Sequence, residues 1–269
     1  MKILRIILII PMFLALGYFG VRSYEHAKCY ESSTAIIAQQ CDAHGLAQGK
    51  LDKLTSIISF GLIKDETKEK LNKLREKQKE NQNISNQNLR YFMIVLGILL
   101  IFSFTCTTGG STLILAISSL ISLIFGLINP ILMVTIHKEV EHLGDVILSF
   151  ESKGILGSIS KLFDSGEITV AITILLFSVL VPLLKITTLI FTIIFRNYKF
   201  SHTLINFFKH LGKWSMIDVF VVATFLVYLT SNGNGVSIAE IQIGLYYFLA
   251  YVIISMITTI KTIKLLESK

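Results

Sequence analysis

Between residues 168 and 195 the chain carries a single charged side chain, Lys185, and between residues 216 and 230 a single one, Asp218. About 20 consecutive, mostly apolar residues suffice to cross ~30 Å of hydrocarbon as a helix. Runs of this kind fix the solvent before they fix the fold. Of the 269 residues, 52% are hydrophobic and 16% charged, a composition outside the range of ordinary soluble domains. The expected class is an integral membrane protein. The two isolated charges then become the first candidates for function. A charge at the bilayer centre costs about 3 kcal/mol by insertion scales and is retained where it faces a bundle interior, a partner or a water-filled path.

Six spans are expected, at residues 3–21, 91–106, 111–136, 170–195, 214–231 and 241–260. None alternates as a barrel strand would, so the expected fold is all-α and polytopic. Lys and Arg in short loops set the orientation. Lys2 and Arg5 precede the first span, Arg196, Lys199, Lys209 and Lys213 lie between the fourth and fifth, and Lys261, Lys264 and Lys269 follow the sixth. Six crossings put all three groups on one side, the cytoplasm, together with both termini. Segments 22–90 and 137–169 fall outside. The net charge of +7 is explained by this flanking pattern and does not point to nucleic acid.

The chain therefore divides into a signal-anchor span at 1–21, an extracytoplasmic helical arm at 22–90, a second span at 91–106, and a four-span domain at 107–269. In the arm, Leu51, Leu54, Ile57, Ile58 and Leu62 share one helical face. Residues 64–90 are polar nearly all round, with Glu66–Lys70 and Glu69–Lys73 at helix-favouring spacing. Such an arm reads either as a solvated helical hairpin or as a docking element. Segment 155–169 is amphipathic, with Ile155, Leu156, Ile159, Leu162 and Phe163 on one side, and suits a helix at the membrane surface.

Chemistry-bearing motifs are sparse. Cys29 and Cys41 lie in the outside segment, where a disulfide closing a short loop is one option, and Cys106 ends a span. No C-x-x-C pair, phosphate-binding glycine loop, H-E-x-x-H or G-x-S-x-G occurs, so no cofactor, metal or enzymatic activity is expected. His137, Glu141 and His142 are too loosely spaced to argue for a metal site.

The most specific pattern runs through GLINPILMV at 126–134, SVLVPLLK at 178–185, GKWSMIDVF at 212–220 and the last span. These strings resemble the membrane domain of the paraquat-inducible protein A family over residues 107–265, with Pro130, Pro182, Lys213 and Trp214 as structural marks. The chain departs from the usual pattern in lacking cytoplasmic C-x-x-C zinc ribbons and in having one copy of the domain. An extra helix pair with the outside arm stands in their place.

The resemblance implies an inner-membrane component that moves phospholipid or another amphiphile together with a tunnel-forming partner of the MCE type. It also implies a polar cluster among the spans, at positions Ser178, Lys185, Asp218 and Ser255, with Thr258 and Thr259 as possible substitutes for Ser255. The residues support a cluster on their own terms. Ser178 and Lys185 are seven apart, hence on one helix face. Pro182 between them frees the carbonyl at 178 and bends the helix. Lys185 and Asp218 then read as a structural ion pair, a gating or proton-carrying pair, or a site for an anionic headgroup. A non-transporting scaffold that recruits partners through the 22–90 arm is the alternative reading of the whole chain.

Overall fold

A computed structural model describes residues 2–41, 63–106, 108–140, 144–194 and 237–267. The elements in order are α1 (Lys2–Cys41), α2 (Ile63–Thr105), α3 (Thr108–Ile128), β1 (Pro130–Val140), β2 (Gly144–Gly154), α4 (Ile155–Asp164), α5 (Ile168–Ile174), a π-helical segment (Leu175–Leu180), α6 (Val181–Ile194), β3 (Ser237–Ile241) and α7 (Ile243–Glu267). Among the described residues, four stretches are long and apolar enough to cross a membrane: Asn72–Thr105, Gly109–Ile128, Ile168–Ile194 and Ile243–Leu265. They coincide with the second, third, fourth and sixth expected spans. The first expected span lies on α1. The fifth, with Lys213, Trp214 and Asp218, falls outside the described residues, as does most of the apolar face at 50–63.

α1 and α2 form an antiparallel hairpin. On α1 the buried positions are Leu16, Gly20, Ser23, Ala27, Tyr30, Thr34 and Ile37, and on α2 they are Ser85, Leu89, Phe92, Leu96, Leu99 and Ser103. Alternate steps of three and four residues are the signature of a coiled-coil seam. Within the apolar stretch the seam is Leu and Phe. Beyond it the seam turns small and polar, and its polar groups bond across the pair. Ser23 Oγ donates to the Ser85 carbonyl (3.1 Å) and Ser85 Oγ donates to the Ser23 carbonyl (2.9 Å). Gln78 Nε2 donates to Thr34 Oγ1 at 2.7 Å. Asn81 spends its amide on the Lys77 carbonyl, so its Oδ1 accepts from His26 Nδ1 at 2.9 Å, which puts a proton on that ring nitrogen. Residues 22–41 and 63–90 of the expected arm thus form the outer half of a helix pair whose inner half is apolar.

One consequence corrects an option left open by the sequence. Cys29 and Cys41 lie on the same helix, twelve residues apart and so roughly 18 Å along its axis. A disulfide needs Cα atoms within about 7 Å, and Cys29 is a free, exposed thiol.

α3 and α7 form a second antiparallel pair with the same periodicity. Ser111, Leu115, Ser118, Ser122, Gly126 and Asn129 are buried on α3, and Gly244, Tyr247, Tyr251, Ser255, Thr258 and Thr262 on α7. The helices touch closely. A Cβ on Gly126 would lie 2.9 Å from the Phe248 backbone nitrogen, and one on Gly244 would lie 2.6 Å from the Pro130 carbonyl oxygen. Small residues permit this approach, and in lipid it is dispersion across such contacts that holds helices together. The α1–α2 hairpin docks on this pair through Phe92, whose ring centroid is 4.7 Å from Tyr247 and 6.0 Å from Phe125. α6 joins the other flank, where Ile186 packs with Leu123, Leu127, Phe248, Tyr251 and Val252.

The helical membrane architecture expected from the sequence carries one addition. Strands β1 and β2 pair antiparallel from Pro130↔Gly154 to Val140↔Gly144, and β3 pairs antiparallel with β1 from Leu132↔Ile241 to Ile136↔Ser237. The order is β2-β1-β3. The third span consequently ends at Ile128 and not at 136. Asn129 closes α3 by donating from Nδ2 to the Phe125 carbonyl (2.7 Å). Pro130 then blocks continuation, because it lacks an N–H and excludes the helical conformation from the residue before it. The apolar run continues past the helix, and β-branched residues among ILMVTI suit a strand. The sheet joins α3 to α4 and precedes α7, at the end of the bundle where α1 packs against β2. α4 is the amphipathic helix expected at 155–169, with Ile159 buried and Leu156 and Phe163 exposed.

Candidate functional site within the spans

The fourth span is built from three helical pieces. Pro182 cannot donate to the carbonyl at 178 and its ring crowds that oxygen. The preceding turns are wound as a π-helix over Leu175–Leu180, the form in which a helix absorbs such a misfit. The bend expected from Pro182 thus takes the shape of a widened turn that contains Ser178. Downstream, α6 buries Pro182, Lys185, Ile186, Leu189, Thr192 and Ile193 and leaves Leu184, Phe191 and Ile194 outward. Lys185 is only 4% exposed and Ser178 only 7%. The ammonium is therefore on the inner side of a helix that otherwise shows apolar residues outward. Nine residues separate it from Ile194, roughly 14 Å of rise, which is too deep for its chain to reach the interface by extension alone.

Ser255, on α7, is fully buried. Its Oγ has no hydrogen-bond partner among the described residues. The neighbours considered as substitutes are already engaged: Thr258 Oγ1 donates to the Ile254 carbonyl (2.7 Å) and Thr259 Oγ1 to the Ser255 carbonyl (2.8 Å). Ser255 is thus the hydroxyl on this stretch that is available to a ligand. α6 and α7 both pack on α3, so Lys185 and Ser255 lie on helices of one three-helix group, and Ser178 lies on the π-helical segment that leads into α6. Asp218, Lys213 and Trp214 lie outside the described residues, and Pro130 serves at the α3–β1 junction, away from this group.

Two features of the site escaped sequence reasoning. The first is a pair of serines on α3. Ser118 and Ser122 are buried, and their Oγ atoms likewise have no hydrogen-bond partner among the described residues. Their only signal was an i, i+4 serine spacing in an uncharged run. The second is Lys261, which the span boundaries placed in a loop. α7 continues to Glu267, so Lys261 is a helical residue. Its Nζ donates to Ser111 Oγ (2.8 Å) and Ser103 Oγ (3.3 Å) and sits 4.1 Å from the Phe104 ring centroid. That contact ties the ends of α2, α3 and α7 together. Its stem lies along apolar surface, as expected for a cation at a span end.

A buried ammonium with hydroxyls on adjacent helices can hold an anionic group or pass a proton. The model of the family described as Paraquat-inducible protein A matches residues 110–264. No curated protein matches the chain, and no solved structure does.

Proposed function

The chain belongs to the paraquat-inducible protein A family, and on that premise we propose that it is the inner-membrane component of a lipid transport system. It works with an MCE-type tunnel protein and moves a phospholipid or another amphiphile. Both termini lie in the cytoplasm, and the outer halves of α1 and α2 and the sheet face the partner. Lys185, Asp218, Ser178 and Ser255 form the polar cluster that gates movement or couples it to protons. The observation that carries this reading is Lys185, 4% exposed in the interior of an apolar span. A charge in such a place is retained where it pairs inside the bundle or lines a path for charged headgroups or protons, and the second use is the one that supports this reading.

Complementation of a lipid-barrier defect tests the proposal. Lys185→Ala and Asp218→Ala are each expected to abolish activity while folded protein remains in the membrane. Removing one member of a fully desolvated pair typically costs about 3–5 kcal/mol, and partial hydration makes the loss smaller. The double variant Lys185→Met with Asp218→Leu restores apolar packing without charge. It is expected to be stable and inactive. Full activity in that variant would overturn the mechanistic role. The scaffold reading, favoured by the length of the α1–α2 hairpin beyond its apolar half, would then lead.

A further inference from the structure

Three of the serine and threonine hydroxyls along the α3–α7 seam differ from the others in their bonding. A serine or threonine in a span ordinarily satisfies its hydroxyl on the carbonyl three or four residues earlier. Ser119 does so with Ala116, Thr258 with Ile254, Thr259 with Ser255 and Thr262 with Thr258. Ser118, Ser122 and Ser255 do not, although each has a carbonyl one turn back. Each is at most 1% exposed, and each Oγ is without a hydrogen-bond partner among the described residues.

The three lie together. Gly126 faces Phe248 and Gly244 faces Asn129 and Pro130 at one end of the pair. Ser111 receives Lys261 Nζ at the other. Counting from the Gly126–Phe248 contact, Ser118 is eight residues back along α3 and Ser255 seven residues on along antiparallel α7. The two serines are therefore level within about one residue's rise of 1.5 Å. Ser122 is one turn away on the same face of α3.

We propose that Ser118, Ser122 and Ser255 form a binding site for ordered water in the middle of the α3–α7 seam. A buried water makes about three hydrogen bonds to polar groups that lack other partners, and three buried serine hydroxyls without partners among the described residues, on two paired helices, could supply them. Hydroxyls left dry in hydrocarbon surroundings would each carry an uncompensated desolvation cost. The site brings α3 into the polar region and gives the bundle centre a hydrated group that can accept and donate protons. It shares Ser255 with the transport cluster, and it does not depend on what the protein carries.

Infrared spectroscopy of thiol exchange tests it in full-length protein in lipid vesicles. Cys29, Cys41 and Cys106 are replaced, and single cysteines are introduced as Ser118→Cys, Ser255→Cys and, as the dry comparator, Leu123→Cys, a fully buried apolar position one residue from Ser122. On transfer to heavy water the S–H band of the two serine-site variants is expected to convert at least about tenfold faster than that of Leu123→Cys, since buried apolar positions exclude solvent. Equal rates would overturn the proposal. Should a cysteine variant not fold, Ser118→Ala and Ser255→Ala give an independent reading. Loss of a hydrated hydroxyl is expected to lower the thermal midpoint by roughly 2–4 °C. A midpoint that holds or rises means that the seam was dry, and the proposal fails.

Discussion

The α1–α2 hairpin and the α3–α7 pair are built on the same heptad geometry and put polar groups in their seams to opposite use. In α1–α2 the polar seam residues bond across the helices: Ser23 with Ser85 reciprocally, His26 with Asn81, Thr34 with Gln78. In α3–α7 the hydroxyl bonds of Ser119, Thr258, Thr259 and Thr262 stay within one helix, and Ser118, Ser122 and Ser255 have no hydrogen-bond partner among the described residues. A seam closed by its own polar groups is a strut. A seam held by glycine contacts at one end and a lysine clasp at the other, with open hydroxyls between, is suited to admitting something. What separates the two is where the hydrogen bonds go, since the spacing is common to both.

The largest expected effect strikes the α3–α7 contact. Gly126→Leu would drive a side chain into the Phe248 backbone, whose nitrogen and Cα lie 2.9 and 3.0 Å from an added Cβ. Backbone cannot rotate aside, so the cost is expected at or above the upper end of the ~1–3 kcal/mol of ordinary overpacking. Loss of monodisperse protein on size exclusion would show it. Gly97 on α2 is the control, because an added Cβ there meets nothing within 4 Å. Gly97→Ala is expected to stabilise by about 0.5–1 kcal/mol through helix propensity alone. A Gly126 variant as stable as Gly97→Ala would break the claim that the second pair depends on close approach.

This asymmetry was only partly legible in the sequence. Uncharged runs gave the spans, because hydrophobicity is a local property of the chain, and Lys185 stood out because a charge in such a run has few explanations. In the structure it is buried. The end of α3 was misplaced because ILMVTI after Pro130 is as apolar as a span. Those residues pair with Gly144–Gly154 on one side and with Ser237–Ile241 on the other, and the second partner, a hundred residues away, is invisible to a local pattern. Ser118 and Ser122 were passed over for a related reason. A serine in a span is ordinary when it bonds its own helix, and only coordinates distinguish those that do from those that do not. Lys261 was counted as a loop charge because hydropathy fades before the helix ends, and its partners sit on two other helices.

A second prediction of intermediate size concerns the serine clasp. Ser23→Ala deletes one donor of the reciprocal pair, as Ser85→Ala deletes the other, leaving backbone carbonyls buried with fewer partners. Each is expected to cost about 1–3 kcal/mol, read as a fall in thermal midpoint in detergent. The double variant should cost less than the sum, since the two bonds share one contact. Strict additivity would mean that the two hydroxyls act separately and that the seam is not clasped there.

The smallest effect sharpens the comparison most. Thr34 and Gln78 meet in the outer half of the hairpin, at 2.7 Å, on either side of a seam otherwise lined by Tyr30 and Ile37 on α1. Replacing both partners together, Thr34→Val with Gln78→Leu, removes the bond and leaves no orphaned group behind. Such paired replacement is close to neutral or mildly stabilising, within about 1 kcal/mol. If energy were the role of the polar seam, the double variant would melt lower. If register is its role, as for polar residues at seam positions of coiled coils, stability is expected to hold while alignment loosens. Cysteine crosslinking across the seam, with one pair in register and one pair shifted by a heptad, separates these outcomes. Crosslinking confined to the native register in the apolar variant would show that the inner apolar half, from Leu16 to Leu99, is enough to set the alignment. The polar bonds of the outer half would then be a requirement of its surroundings in water and not of the hairpin's geometry.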